Sequence, residues 1–214
     1  MDLDPAHIQQ GLLIFILIVL SLALHEWGHA WMADRLGDDT PRSQGRVTLN
    51  PLAHIDIFGT LIIPLLGVLK FFGGFGFIGW AKPVQINPAA LPRTGQRAAV
   101  TLAGPAMNAL LALFATIAAG LLSRFDVRLH DLASLLLHVN VGLMIFNLLP
   151  IPPLDGSKFL MYWGGMSEET YIGFANWGWV ILIIAINLPA FRLLLGKIFA
   201  LALTPYIALY NLIA

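Results

Sequence analysis

His25, Glu26 and His29 stand in the run His-Glu-Trp-Gly-His, inside a stretch from Gly11 to Ala33 that otherwise reads as an apolar helix. On a helix, residues four apart share one face about 6 Å apart along the axis, so two imidazoles at that spacing can share one Zn²⁺. The glutamate beside them is placed to take a proton from water at such a metal, which is the constellation of a metal-dependent hydrolase. An ionisable side chain near the bilayer centre costs on the order of 2.5–3.5 kcal/mol by insertion scales, so three of them in a turn and a half need a compensating role. Histidines that only bonded to neighbouring helices would leave Glu26 without one. The chemistry expected is hydrolysis at one zinc ion inside a membrane.

Two histidines leave a catalytic zinc one protein ligand short. The chain has no cysteine, so the third ligand must be His, Asp or Glu. His7 and His130 read as interfacial, and His138 stands on a helix with no other ligand-like residue near it in sequence. Glu168 and Glu169, beside Ser167 and Thr170, read as a solvated connector. Asp155 differs. It follows Asn147-Leu148-Leu149-Pro150-Ile151-Pro152-Pro153-Leu154 at the end of a charge-free run and precedes Gly156. Prolines break the helix there and expose carbonyls that are tolerable at membrane depth only against protein or a water-filled cavity. A carboxylate in that place can take the zinc or cap the helix that follows, and both readings stand.

The elements that position these residues read as membrane helices. Hydrophobic residues make up 58% of the chain and charged ones 11%, against about 25% charged in soluble domains. A formal net charge of zero gives no reason for a nucleic-acid partner; the partner is the lipid bilayer. Charge-free runs place spans from Pro5 through the motif, and over 98–123, 132–154, 170–191 and 198–214, the last of them short and headed by Arg192 and Lys197. The first run lacks a basic leader region and a small-residue cleavage site, so it reads as a retained helix. Val47-Thr48-Leu49 between turn residues predicts a small membrane-associated β-hairpin over 42–50, whose edge could receive an unwound substrate. The segment 57–81, interrupted by Pro64, Lys70 and Gly73-Gly74-Phe75-Gly76, is read as re-entrant rather than spanning. Arg35, Arg42, Arg46, Lys70, Lys82, Arg93 and Arg97 all fall between the first helix and the next long one, which puts that side, and the His-Glu pair, toward the cytoplasm. The expected fold is an all-α polytopic membrane protein of about five to six transmembrane helices. It forms a single domain over 1–214, with a catalytic core at about 8–165 and C-terminal helices at about 170–214.

Three signatures then carry a resemblance: His25-Glu26-Trp27-Gly28-His29, Gly104-Pro105-Ala106-Met107-Asn108, and Asn147 through Leu154-Asp155-Gly156. In that order they make the chain similar to the site-2 protease family of intramembrane zinc metalloproteases. Asn50-Pro51-Leu52-Ala53-His54-Ile55-Asp56 and Trp80-Ala81-Lys82-Pro83-Val84 resemble its compact bacterial or archaeal members, without room for a PDZ or CBS domain. The resemblance implies that His25, His29 and Asp155 bind one Zn²⁺ per chain, that Glu26 is the catalytic acid/base, and that Asn147 lies near the reacting carbonyl. It implies a substrate that is itself a membrane protein with a transmembrane helix, cut in a prokaryotic cell membrane. Gly104, Pro105 and Asn108 read at least as well as helix packing. His54 and Asp56 read first as loop supports, Val47 as a substrate or loop contact, and Trp27 and Trp31 as packing or interfacial anchors. The rival reading from another class is a metal transporter using His25, His29 and Asp155 as a transit site, for which Glu26 has no use.

Overall fold

The computed structural model describes residues 5–62, 65 and 81–214. Internal contacts divide the chain into two compact units, Met1–Leu91 and Pro92–Ala214.

In the first unit, helix α1 spans Pro5–Arg35. Leu17, Ser21, His25, His29 and Ala33, four apart, are all buried, whereas Leu12, Ile16 and Leu20 on another face are exposed. The i, i+4 repeat thus puts both histidines on the helix's buried stripe and leaves large aliphatic side chains for lipid. A short helix α2, Thr40–Ser43, follows, then 3₁₀ turns at Pro51–Ala53 and Pro88–Ala90 and a π-helical turn at Ile57–Ile62. Asn50 and Asn87 each cap the 3₁₀ turn after them, accepting from Leu52 N–H and Ala89 N–H.

The expected hairpin does not form, and no described residue is in a strand. Arg42 and Ser43 belong to α2, Gly45 turns the chain at φ +66°, and 47–49 is a bend. The backbone is satisfied locally: Arg46 N–H donates to Pro41 O at 2.8 Å, and the His54 side chain takes Thr48 O at 2.9 Å. With 47–49 in a bend and the Thr48 carbonyl held by His54, Val47 and Leu49 offer no strand edge. Most of the re-entrant segment, including Lys70 and the glycine run, lies outside the described residues.

The second unit is built on α3 (Thr94–Leu122), α4 (Val127–Asn147) and α8 (Pro189–Ile213). Ala112 and Ala115 of α3, Leu137, Val141 and Ile145 of α4 and Leu203 of α8 share one core. The buried positions of α3 are mostly small, among them Ala98, Thr101, Gly104, Asn108, Ala112, Ala115 and Ala119. In lipid there is little hydrophobic drive between helices, so close approach over small residues and interhelical hydrogen bonds hold them. Asn108 Nδ2 donates to Asn140 Oδ1 at 3.0 Å, both side chains fully buried, and Tyr206 OH donates to Ala109 O. Helices α5 (Phe159–Tyr162), α6 (Glu168–Asn176) and α7 (Gly178–Asn187) lie between, the last two bent by 58°.

Four described helices are long and apolar enough to cross a membrane, or five if the bent pair is one span. The last begins at Pro189, well before the expected 198. Arg192 and Lys197 lie inside it, because both are good helix formers whose long stems reach the interface from within a helix.

Candidate metal centre

The histidine pair is set by one helix. Their Nε2 atoms are 3.1 Å apart, the rings 4.7 Å between centroids and 83° to one another. Two nitrogens held by one tetrahedral zinc at about 2.0–2.1 Å would lie about 3.3–3.4 Å apart, so the pair fits a shared ion after a small adjustment. His25 and His29 are 2% and 7% exposed, which is where a metal earns its full electrostatic effect and where a lone charge would not persist. Trp27 stacks on Trp31, and Arg35 sits over the Trp31 ring at 5.3 Å, a row of contacts at the end of α1.

Glu26 is half-buried, and its Oε2 accepts the Val84 backbone N–H at 3.0 Å. That bond comes from an irregular segment, 81–87, that returns to α1 after the loop. Lys82 N–H donates to His54 O at 3.0 Å, and Lys82 O accepts from Arg46 Nη2, whose Nη1 donates to Ala53 O at 2.9 Å. Asn87 N–H donates to Asp38 Oδ2 at 2.7 Å, and the other oxygen of Asp38 takes Thr40 N–H. His54 is 1% exposed. Burial pushes its imidazole below the ordinary histidine range and Arg46 adds to this, while the bond to Thr48 O and the nearby Glu26 act the other way. Since Thr48 O can only accept, His54 carries its proton on Nε2. Asp56 takes Gly59 N–H at 2.7 Å and starts the π-helical turn.

In the second unit, residues 148–158 fold back on the end of α4. Gly156 makes this closure possible: a Cβ there would lie 2.1 Å from Leu148 O. Gly178 likewise abuts Pro152 O, at 2.3 Å from a would-be Cβ. Leu149 and Leu154 bury against Leu182 of α7. Asp155 is buried and opens a 3₁₀ turn, Asp155–Lys158, whose N-cap is Leu154. The capping alternative is thereby set aside, for Asp155 stands inside the turn instead of before it. Its Oδ1 pairs with Lys158 Nζ at 2.9 Å. A carboxylate has two oxygens and room for several partners, so this ion pair is compatible with monodentate ligation. Asn147 ends α4 with its amide donating to Leu143 O.

The first unit therefore gathers His25, His29 and Glu26 with Val84, and keeps His54 and the Val47 bend on the supporting loop. The second carries Asp155, Asn147 and Asn108. His25, His29 and Asp155 each present a buried ligand atom of the kind Zn²⁺ takes. Four contributors escaped the sequence reading: the Val84 amide, Arg46, Asp38 and Lys158. Only the resemblance of the 80–84 stretch hinted at the first, since a backbone N–H has no residue type.

Residues 13–132 match peptidase family M50, a stretch of more than half the chain that contains the His25–His29 motif and ends before Asp155. YwhC of Bacillus subtilis, named as a candidate zinc metalloprotease, is 35% identical over 156 residues, 69% of this chain and 67% of that protein. Rip2 of Mycolicibacterium smegmatis, named in the same way, is 35% identical over 188 residues, 83% of this chain and 69% of its own. Rip2 of Mycobacterium tuberculosis is 34% identical over 151 residues, 67% and 55% of the two chains. No solved structure matches significantly. With its apolar helices and these matches, the chain is a multi-pass membrane protein and belongs to peptidase family M50, the site-2 protease family of zinc metallopeptidases.

Proposed function

We propose that this protein is a zinc-dependent intramembrane endopeptidase, hydrolysing peptide bonds in or beside the transmembrane segments of membrane-protein substrates. The observation that carries the reading is the pair of imidazole nitrogens 3.1 Å apart on the buried stripe of an apolar helix, with a glutamate beside them. His25, His29 and Asp155 are the proposed ligands, leaving a fourth position open. When bound, Zn²⁺ supplies Lewis acidity, lowering the pKa of water toward 7 and polarising a carbonyl.

Glu26 accepts the proton of the attacking water and later returns it to the leaving amine. The Val84 N–H on Oε2 fixes which way the carboxylate faces. Asn147 uses one amide hydrogen on Leu143 O, and we assign its second to the oxygen that becomes negative as the carbonyl is attacked. A helical substrate hides its carbonyls in its own i to i−4 bonds, so the scissile stretch unwinds locally before it can be cut. The site lies toward the cytoplasmic side. Arg35, Arg42, Arg46, Lys70, Lys82, Arg93 and Arg97, all between the first helix and the next long one in sequence, support that orientation.

The test is cleavage of a panel of single-span peptides by the purified chain, with and without a chelator, alongside Glu26→Gln. Cleavage should vanish with the chelator and return with Zn²⁺. Glu26→Gln should keep its zinc and lose about 10²–10⁴-fold in turnover, the usual contribution of a general base. Undiminished cleavage by Glu26→Gln would remove Glu26 as the general base, whereas a zinc-loaded parent chain that cleaves none of the peptides would leave metal transit as the better reading.

A further inference from the structure

The direction of the Glu26 carboxylate depends on a backbone amide 58 residues along the chain. Among the described residues, 81–87 have no sheet neighbour to hold them, and Pro83 lacks a donor. A tether stands on each side of Val84 among the described residues. Before it, Lys82 is bonded through both backbone groups, its N–H to His54 O and its carbonyl to Arg46. After it, Asn87 N–H is taken by Asp38.

Arg46 is 4% exposed and Asp38 fully buried. Buried charges are strongly unfavourable unless well bonded, and both of these bond to main chain. The Arg46 guanidinium bridges Ala53 O and Lys82 O; the Asp38 carboxylate bridges Thr40 N–H and Asn87 N–H. Each therefore joins the 82–87 segment to a part of the chain next to α1. Lysine cannot reproduce the first bridge, since its single ammonium lacks the rigid fork that spans two carbonyls. Asparagine cannot reproduce the second, since its NH₂ would meet an N–H.

We propose that Arg46 and Asp38 are positioning residues for Glu26, acting through Lys82 and Asn87 to present the Val84 N–H to the carboxylate. This rests on the reading of Glu26 as the general base. Loosening either tether lets the amide move and the carboxylate turn, so the catalytic step slows while substrate binding and the histidine pair stay as they were.

Arg46→Lys and Asp38→Asn are compared with the parent as full chains in detergent micelles, loaded with Zn²⁺ and given a single-span peptide. Three quantities are read: hydrogen exchange of the Val84 amide, kcat and KM separately, and bound zinc. The expected result is at least tenfold faster Val84 exchange and a kcat lower by about 10–100-fold, the range seen when groups that orient a site are changed, with KM within about twofold and zinc at one per chain. Unchanged Val84 exchange in both variants overturns the proposal, as does a fall in kcat with that amide still protected. Loss of zinc or of folding in both also overturns it, by making these residues supports of the whole unit. Glu26→Gln run alongside separates the two failures: full cleavage by it removes the general base, whereas Val84 exchange in Arg46→Lys and Asp38→Asn, which keep Glu26, reports on the tethers whether or not Glu26 is that base.

Discussion

Gly156→Ala is the sharpest perturbation available in the second unit. Its Cβ would stand 2.1 Å from Leu148 O, 2.3 Å from Leu148 C and 2.7 Å from Leu149 O, where real Cβ contacts do not fall below 3.0 Å. All three atoms are backbone, so no rotamer change relieves the clash. Either the end of α4 or the Asp155–Lys158 turn must move by nearly 1 Å, and overpacking of this kind destabilises by about 1–3 kcal/mol. A metal ligand tolerates only about 0.2 Å of displacement, so the proposed Asp155 ligation should suffer more than the fold. Zinc affinity is expected to fall by about 10–100-fold, as when groups that orient ligands are disturbed. Competition with a chromophoric chelator measures this, and thermal unfolding in the same detergent measures stability. Gly173→Ala is the control, because nothing lies within 4 Å of its would-be Cβ and alanine suits a helix; it should be neutral or stabilise by up to about 1 kcal/mol. Wild-type zinc affinity and unfolding temperature in Gly156→Ala would refute the reasoning.

Two further outcomes follow from the same geometry. Removing one amide of the buried Asn108–Asn140 pair by substitution with alanine should destabilise the second unit, and a double-mutant cycle should return a coupling of about 0.6–1.7 kcal/mol, the range for hydrogen bonds between membrane helices. Purely additive unfolding free energies would contradict it. Because His54 has a folded-state pKa below its unfolded value of about 6.5, the unfolded chain binds the proton first, and stability present at pH 7 is lost as pH falls below about 6.5. Unfolding midpoints measured from pH 7.5 to 5 should drop, and His54→Gln should flatten that slope; an equal slope in both proteins would assign it elsewhere.

The histidine pair was legible because a helix converts spacing directly into shared direction, and the buried stripe from Leu17 to Ala33 shows the same period. Asp155 stood out because a carboxylate after three prolines has no ordinary place in lipid. The hairpin was misread because β-prone residue types say nothing about local turns and bonds, and here a helical turn at 40–43, the left-handed Gly45 and the His54 bond to Thr48 O bend the chain instead. Arg46 was read only as a basic loop residue, since sequence shows a charge but not its burial. The start of α8 was misread because charged residues were taken as ends, although Arg192 and Lys197 continue a helix readily. The Val84 contact could not be read at all, because its donor is main chain.

That contact also sets an order on the making of the protein. The histidines of α1 come together as soon as the helix forms, but the amide that orients Glu26 belongs to a residue added 58 positions later. At ordinary synthesis rates the interval is on the order of seconds. For that time a nascent chain carries its pair of histidines while Glu26 lacks its amide partner. On the proposed mechanism, Glu26 is oriented only after the segment through Asn87 has been made and has returned to the first helix, and the ligand set is complete only once Asp155 has followed.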